Sequence, residues 1–313
     1  MMGLDQFVPA LPYVVLALGC AALATTLVRR RVAIYACFVG GLALGAYCEH
    51  SWILVAFAIA IAVLLFAEER YPRHPNEGTH RELLHSTIYA FCKRACGPVA
   101  TVLLLDAGVG RLDHSLGLGE HVPLWGQALI ALAVLDFKQY WIHRAQHRFA
   151  LWWKFHRVHH YAEHLNVLAH GRTHLVEFIM IQIGSTMLIV RLLGLEPQAV
   201  TYGYVIPGLA FAAMWAHANI DFPRRRMPWL SMLVTNPNAH ALHHTKRDDQ
   251  RNFGEILLVW DALFGTYQCP VAARDQLGDY GVTGHVPSYS ILKEQLLLEP
   301  EPEIAVGGAR IAS

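Results

Sequence analysis

The sequence predicts an all-α fold: a polytopic transmembrane helical bundle with a cytosolic helical cap that carries a histidine-ligated dimetal site. Three observations support this fold class. The 313-residue chain is 54% hydrophobic and 16% charged, with a mean hydropathy of +0.31, whereas a soluble domain carries about 25% charged residues. Long apolar runs alternate with segments that contain arginine. Of the 19 histidines, twelve lie between His143 and His244.

The N-terminal region, residues 1–73, contains three apolar runs, at residues 8–28, 32–48 and 52–67. Runs of about 20 apolar residues are long enough to cross a bilayer. The arginines that follow the first and third runs place both ends on the cytoplasmic side, if the runs cross in alternation. We therefore expect an integral, multi-pass protein of the cell membrane, or of the inner membrane in a bacterium.

The rest of the chain divides at residues 121 and 269. In residues 74–121 the sequence predicts a surface helix at 74–94 and a weak membrane-spanning segment at 96–112. Residues 122–269 are the predicted catalytic domain. Within that domain, residues 122–142 predict a further span. The runs at 175–190 and 199–216 predict a helical hairpin around a turn at 194–197. These seven spans place the clustered histidines on the cytoplasmic face. Residues 270–313 predict a polar tail, disordered from residue 299 onward.

Charge and cysteine content exclude other classes. A net charge of +1 gives no reason to expect a nucleic-acid partner. The six cysteines form no C-x-x-C pair, so neither a disulfide framework nor a zinc ribbon is predicted.

The first histidine box contains His143 and His147. A spacing of four residues places two imidazoles on one face of a helix, where they can chelate one metal. Asp136 and Tyr140 share that face, and a carboxylate there can orient a ligand by accepting its free N–H. Taken alone, the box is equally consistent with a basic helix end at lipid headgroups.

The second box contains His156, His159 and His160, and the third repeats its pattern at residues 240–244 with the histidines His240, His243 and His244. Adjacent histidines diverge by about 100° around a helix, so they can serve two metals lying side by side. Eight imidazoles exceed the needs of one ion, which indicates two metals. Zinc has no redox chemistry, whereas iron and O2 can oxidise an unactivated C–H bond, so the sequence favours a di-iron centre.

The order of these motifs resembles the fatty acid hydroxylase/sterol desaturase superfamily. The resemblance runs from residues 136–144 to residues 260–266 and includes Arg172-Thr173-His174, His217-Ala218-Asn219, Asn236-Pro237 and Asn252-Phe253-Gly254. It implies an iron-dependent membrane enzyme that uses O2 at a cytosolic site. The chain departs from the family at Leu175, where proline is frequent, and at Ala213, where some members have a histidine.

The resemblance also bears on residues outside the boxes. His217 closes an apolar run, and the resemblance implies that it is a ninth ligand. His174 is predicted either as a ligand or as a partner of one, and Glu177 lies near it. Asn252 and Asp261 are predicted to hydrogen-bond ligand imidazoles or to cap local structure. His164 and His170 are predicted to be solvated.

The predicted reaction is hydroxylation or desaturation of an alkyl C–H bond in a lipid or sterol-like substrate. The sequence contains no ferredoxin-type cysteine cluster, flavin fingerprint or haem domain, so electrons are expected from a separate electron-transfer protein. Oxidative cleavage of an ether lipid is an alternative, because it begins with the same hydroxylation. A non-catalytic membrane metal-binding or transport protein is an alternative from another class.

Overall fold

The computed structural model describes residues 39–40, 52–76, 80–108, 114–221, 230–246, 250–270, 277–286 and 288–298. The predicted run at 8–28, most of the run at 32–48, and the tail from residue 299 lie outside these residues.

The described chain is helical, as predicted, and its α-helices are numbered in chain order. They are α1 (Trp52–Arg70), α2 (His80–Asp106), α3 (Leu118–His121), α4 (Leu124–Arg148), α5 (Ala150–His160), α6 (Ser185–Leu193), α7 (Pro197–Val200), α8 (Ala213–His217), α9 (Leu230–Leu233), α10 (Pro237–His243), α11 (Val259–Leu263) and α12 (Ile291–Gln295). Two π-helical segments, π1 (Glu177–Gly184) and π2 (Thr201–Ala212), and a 3₁₀ turn (Ala169–Gly171) complete the set. Extended pairing in the described residues is limited to isolated bridges such as Val234 with Leu257.

Membrane-spanning helices were predicted at several of these positions. Across the described ranges, none of the helices combines the length and the apolar character that crossing a bilayer requires.

One residue separates the helices that carry the first two boxes. Phe149 has extended backbone angles (φ −105°, ψ 125°) and ends α4, and its carbonyl accepts the Trp153 N–H at the start of α5 (2.9 Å). The chain therefore turns sharply at Phe149. This turn brings the last turns of both helices, and so both boxes, to one place.

Helical segments lie on both sides of residues 194–197, where the sequence predicts the turn of a helical hairpin. Its first arm is π1 followed by α6, which ends at Gly194 with a left-handed backbone (φ 66°). Its second arm begins with Pro197 at the first position of α7 and continues through π2 to α8. Glycine just after one helix and proline at the start of the next are the usual signals for such ends.

The surface helix predicted at 74–94 has other bounds in the structure. Residues 80–106 form one continuous helix, α2, which also includes most of the weak spanning candidate and contains Pro98. Leu83 and Ser86 of this helix are fully buried, and Leu83 packs in one core with Ile61 and Leu168. Burial against α1 and the loop after α5, rather than solvent, decides the position of α2.

The region after Cys269 is polar in composition but is not a detached tail. Tyr280 is buried against Leu165 and Ala241, and Glu294 of α12 is 1% exposed. The described part of this region therefore packs on the elements that carry the second and third boxes.

Candidate metal centre

Four helix ends carry the three boxes and His217. His143 and His147 lie in the last turns of α4, and the second box forms the end of α5. The third box lies on α10, whose start is capped by Asn236 through a hydrogen bond from the Ala239 N–H (3.1 Å). His217 ends α8. All nine side chains belong to residues at most 9% exposed.

The nine histidines form two groups, in each of which one ring nitrogen per residue lies within 4.8 Å of the others. Group A consists of His143, His147, His156, His160 and His243, and group B consists of His159, His217, His240 and His244. Adjacent histidines belong to different groups, as the angle between neighbouring side chains on a helix predicts. Each group therefore draws on several helices, and the groups share the second and third boxes.

The hydrogen bonds of group A direct nitrogen lone pairs inward. His143 Nδ1 donates to the Phe253 carbonyl (2.8 Å), His156 Nδ1 to Glu177 Oε1 (3.0 Å) and His243 Nδ1 to the Arg251 carbonyl (2.7 Å). These oxygens only accept, so in a neutral ring Nε2 carries the lone pair. In all three residues Nε2 is buried without a hydrogen-bond partner among the described residues.

The same reasoning applied to group B shows a fit to a cation. His159 Nδ1 donates to the Arg172 carbonyl (3.0 Å) and His217 Nδ1 to the Ala213 carbonyl (2.7 Å). Their Nε2 atoms, both lone-pair bearing, are nevertheless 3.1 Å apart. Lone pairs at this separation repel unless a cation lies between them. A metal ion about 2.0–2.1 Å from each imidazole nitrogen sets its ligand atoms roughly 3 Å apart.

A proton does not replace that cation at neutral pH. Burial, with the neighbouring imidazoles, holds the pKa of His160, His240 and His244 well below 6.5. Burial and the nearby His156 lower the pKa of His243 to about 3, and burial lowers that of His217 to about 4. The rings are therefore neutral, the form in which imidazole binds metals.

Among the acidic residues predicted beside the boxes, only Glu177 contacts a histidine of either group, through the bond to His156. The predicted contact of Asp136 with a box histidine is wrong. Its carboxylate accepts the N–H groups of Ile256 (3.0 Å) and Leu257 (3.1 Å) and the Trp260 indole N–H (2.9 Å). Asp136 thus fixes the segment after Phe253 to α4.

Asp261 and Asn252 also act on backbone rather than on imidazoles. Asp261 accepts the Phe253 and Gly254 N–H groups (both 2.8 Å), and so holds the turn whose carbonyl binds His143. Asn252 donates to the Ala239 carbonyl of α10 (3.0 Å). Both residues therefore hold segments that carry or contact histidines of the two groups.

Tyr140 does not contact a box histidine. Its hydroxyl lies 2.9 Å from Thr266 Oγ1, and its ring stacks on Phe264. It joins α4 to the segment after α11.

His174 is not placed as a ligand. Its Nε2 donates to the Gln295 carbonyl (2.8 Å), and its Nδ1 accepts the Val176 N–H (3.1 Å), so neither nitrogen is available to either group. His170, predicted to be solvated, is instead partly buried with its ring 6.3 Å from that of His217. Burial lowers its pKa to about 3.

The sequence reasoning missed three residues whose backbone carbonyls orient histidines of the groups, of which Arg251 accepts the His243 N–H. Phe253 supplies the carbonyl that orients His143, and its ring lies 5.3 Å from that of His147. Arg172 supplies the carbonyl that orients His159. Phe253 and Arg172 both lie in motifs that resemble the superfamily. Any residue type can supply a backbone carbonyl, so the sequence carried no signal for these contacts.

Replacing Glu177 with glutamine should weaken metal binding by group A about 10–100-fold, the usual cost of losing a partner of a ligand histidine. The glutamine amide oxygen still accepts the His156 N–H. It lacks the negative charge of the carboxylate, which makes the imidazole a stronger electron-pair donor to a metal ion. Metal titration of the purified protein measures this, with the exposed Glu120→Gln as control. A dissociation constant within threefold of wild type contradicts the role.

Comparison with known proteins agrees with the geometry. Residues 128–266 match the model of the family described as fatty acid hydroxylase. An ornithine lipid hydroxylase of Rhizobium tropici is 31% identical over 176 residues, 55% of this chain and 50% of the relative. An alkylglycerol monooxygenase of Danio rerio is 26% identical over 173 residues, 55% and 36% of the two chains. A fatty acid hydroxylase of a Lecanicillium species is 29% identical over 145 residues, 42% and 39%.

The matched region holds the whole candidate metal centre. No solved structure matches the chain. The chain spans half the length or less of these curated relatives. All three relatives bear the names of oxidoreductases that act on lipids. Residues 128–266, which hold all nine histidines of the two buried groups, match the fatty acid hydroxylase family, and with these relatives they support a likeness to the fatty acid hydroxylase/sterol desaturase superfamily.

Proposed function

We propose that the chain is a membrane-bound di-iron oxygenase that hydroxylates, or desaturates, an alkyl C–H bond of a lipid or sterol-like substrate. One observation carries the proposal: two adjacent, buried groups of histidines, of five and four residues, in which the members oriented by hydrogen bonds direct their lone pairs at a common centre. Bound there, two iron ions supply the redox chemistry with which O2 is used.

The residues of the chain prepare this centre in three ways. Carbonyl groups and Glu177 hold the tautomers of five histidines in the metal-binding form. Burial lowers the pKa of seven of the nine histidines, which keeps their rings neutral, and it keeps water from the groups; these are His143, His159, His160, His217, His240, His243 and His244. Soluble di-iron bundles use carboxylate ligands, whereas both groups here are built from histidine alone within the described residues, which is consistent with the superfamily.

Support for a lipid substrate and a membrane location comes from the surface. Ile59, Val63 and Phe66 on one face of α1 are 61–69% exposed, and Met180, Leu188 and Leu192 of the hairpin are 48–57% exposed. Such apolar faces suit contact with acyl chains. Together with the basic ends of the predicted spans, they support a multi-pass protein with its metal centre on the cytoplasmic face.

The electron donor is proposed to be a separate protein. Reduction of O2 to water alongside substrate oxidation needs two electrons from outside. The cysteines that the structure describes, Cys92, Cys96 and Cys269, are free thiols, and the spacing of the six cysteines in the sequence does not predict a ferredoxin-type cluster.

Ether-lipid cleavage is the second candidate reaction. The similarity to an alkylglycerol monooxygenase favours it, and the similarity to an ornithine lipid hydroxylase favours hydroxylation. Both start with oxidation of a C–H bond, so the same centre serves either.

Comparative lipidomics under ¹⁸O2 tests the proposal. Cells that express the wild-type chain should contain a lipid that has gained one ¹⁸O or lost two hydrogens, or an aldehyde released from an ether lipid. Cells with His240→Ala should not, and cells with the exposed His164→Ala should match wild type. An unchanged lipid profile in cells whose purified protein holds metal would instead favour the non-catalytic metal-binding alternative.

A further inference from the structure

Arg172 is the largest fully buried side chain among the described residues, and both ends of its guanidinium group are paired. One nitrogen donates to Glu82 of α2 (2.7 Å) and the other to Glu294 of α12 (2.5 Å). All three side chains are at most 1% exposed. A planar guanidinium held from two sides has little freedom to shift.

The backbone of the same residue touches group B. The Arg172 carbonyl accepts the His159 Nδ1–H (3.0 Å), which keeps the lone pair on His159 Nε2. That Nε2 lies 3.1 Å from Nε2 of His217. A displacement of the Arg172 backbone would therefore rotate or release one of the four imidazoles of group B.

Further contacts tie the chain after Arg172 to α12. The Gln295 carbonyl accepts the His174 Nε2–H (2.8 Å), and the Gln295 side chain accepts the Leu175 N–H (2.7 Å). Tyr89 of α2 donates to the second oxygen of Glu294 (2.7 Å). The segment that carries the Arg172 carbonyl is thus held by α12 and α2 together.

We propose that Arg172 is a positioning residue for group B, and that Glu82 and Glu294 act through it. Both glutamates lie outside residues 128–266, so part of the metal centre's support comes from outside the matched family domain. The inference rests on the proposed function, because it requires group B to hold an ion. Removing one partner from a buried ion pair leaves the other charge uncompensated, which displaces the remaining group.

Glu294→Gln in the full-length protein tests this role, because glutamine keeps the shape and removes the charge. The probe is Co²⁺, added to metal-free protein, with bound ions counted and both affinities measured. One ion should bind about 10–100-fold more weakly, and the other should bind as in wild type. Lys293→Gln, an exposed change in the same helix, should leave both affinities unchanged.

Double variants assign the weakened ion to its group. Combined with His240→Ala, which already removes the group B ion, Glu294→Gln should cause no further loss. Combined with His143→Ala, it should weaken the remaining ion. Glu82→Gln, which acts on the other side of the guanidinium, should reproduce this pattern and serves as the second variant if Glu294→Gln does not fold.

Two results overturn the role of Arg172: unchanged affinities despite a lower unfolding temperature, and equal weakening of both ions. The first would show that the ion pairs support the fold alone. Failure of the proposed function is distinguishable, because wild-type protein would then bind at most one Co²⁺, and the inference would fall with it.

Discussion

Replacing His243 with alanine should lower the metal content from two ions per chain to about one and abolish O2-dependent turnover, while the protein still accumulates. His243 belongs to group A, where its Nδ1 donates to the Arg251 carbonyl and its Nε2 is buried without a partner in the described chain. Its removal takes away one ligand and opens space at the centre of the group. The remaining four imidazoles of group A are placed for a five-ligand site, so they leave one side of the ion open and hold it more weakly.

The matched controls separate metal loss from misfolding. His240→Ala makes the equivalent change in group B and should also leave one ion and no turnover. His164→Ala removes an exposed imidazole outside both groups and should retain two ions and full turnover. Metal analysis and turnover are measured on the same purified samples. If His243→Ala keeps turnover, or if the wild type holds no more than one ion, the di-iron hypothesis is to be abandoned.

Replacing Gly203 with alanine should destabilise the fold by about 1–3 kcal/mol or more, the cost of forcing extra atoms into a packed interior. A Cβ at this position would lie 2.1 Å from the carbonyl oxygen of Ala128 in α4. The obstacle is backbone, so no side-chain rotation relieves it. The second arm of the hairpin, which ends in His217, must therefore move away from the helix that carries the first box.

Thermal unfolding of the purified protein measures this effect, and metal content reports its consequence for group B. Gly40→Ala is the control, because a Cβ there meets no atom of the described residues within 4 Å. The Gly203 variant should unfold at a lower temperature and bind the group B ion more weakly. An unfolding temperature equal to that of wild type would show that α4 and π2 are not held as closely as the structure places them.

The spacing of histidines along each helix explains which features of the metal centre could be predicted from the sequence. A helix fixes the angle between residues three, four and one apart, so the boxes alone specify which imidazoles can meet and that neighbouring ones diverge. The same holds for the hairpin, since Gly194 and Pro197 act within a few residues of their own positions. These features needed no knowledge of distant contacts.

Partners across the chain were not predictable in this way. Asp136 shares a helix face with His143, yet it binds backbone about 120 residues away. His174 lies close to the second box in sequence, yet both of its nitrogens are engaged elsewhere. Position on a helix limits where a side chain can point, and the element packed against that helix decides what it touches.

The sequence by itself determined the helical class, the hairpin and the nine histidines that the structure gathers into two groups. Only the tertiary structure decided how the groups are held: by carbonyls of Phe253, Arg251 and Arg172, by Glu177, and by Glu82 and Glu294 from outside the matched domain. The physical reason is that every residue carries the same backbone carbonyl. Which one accepts an imidazole N–H depends on packing between segments far apart in the chain.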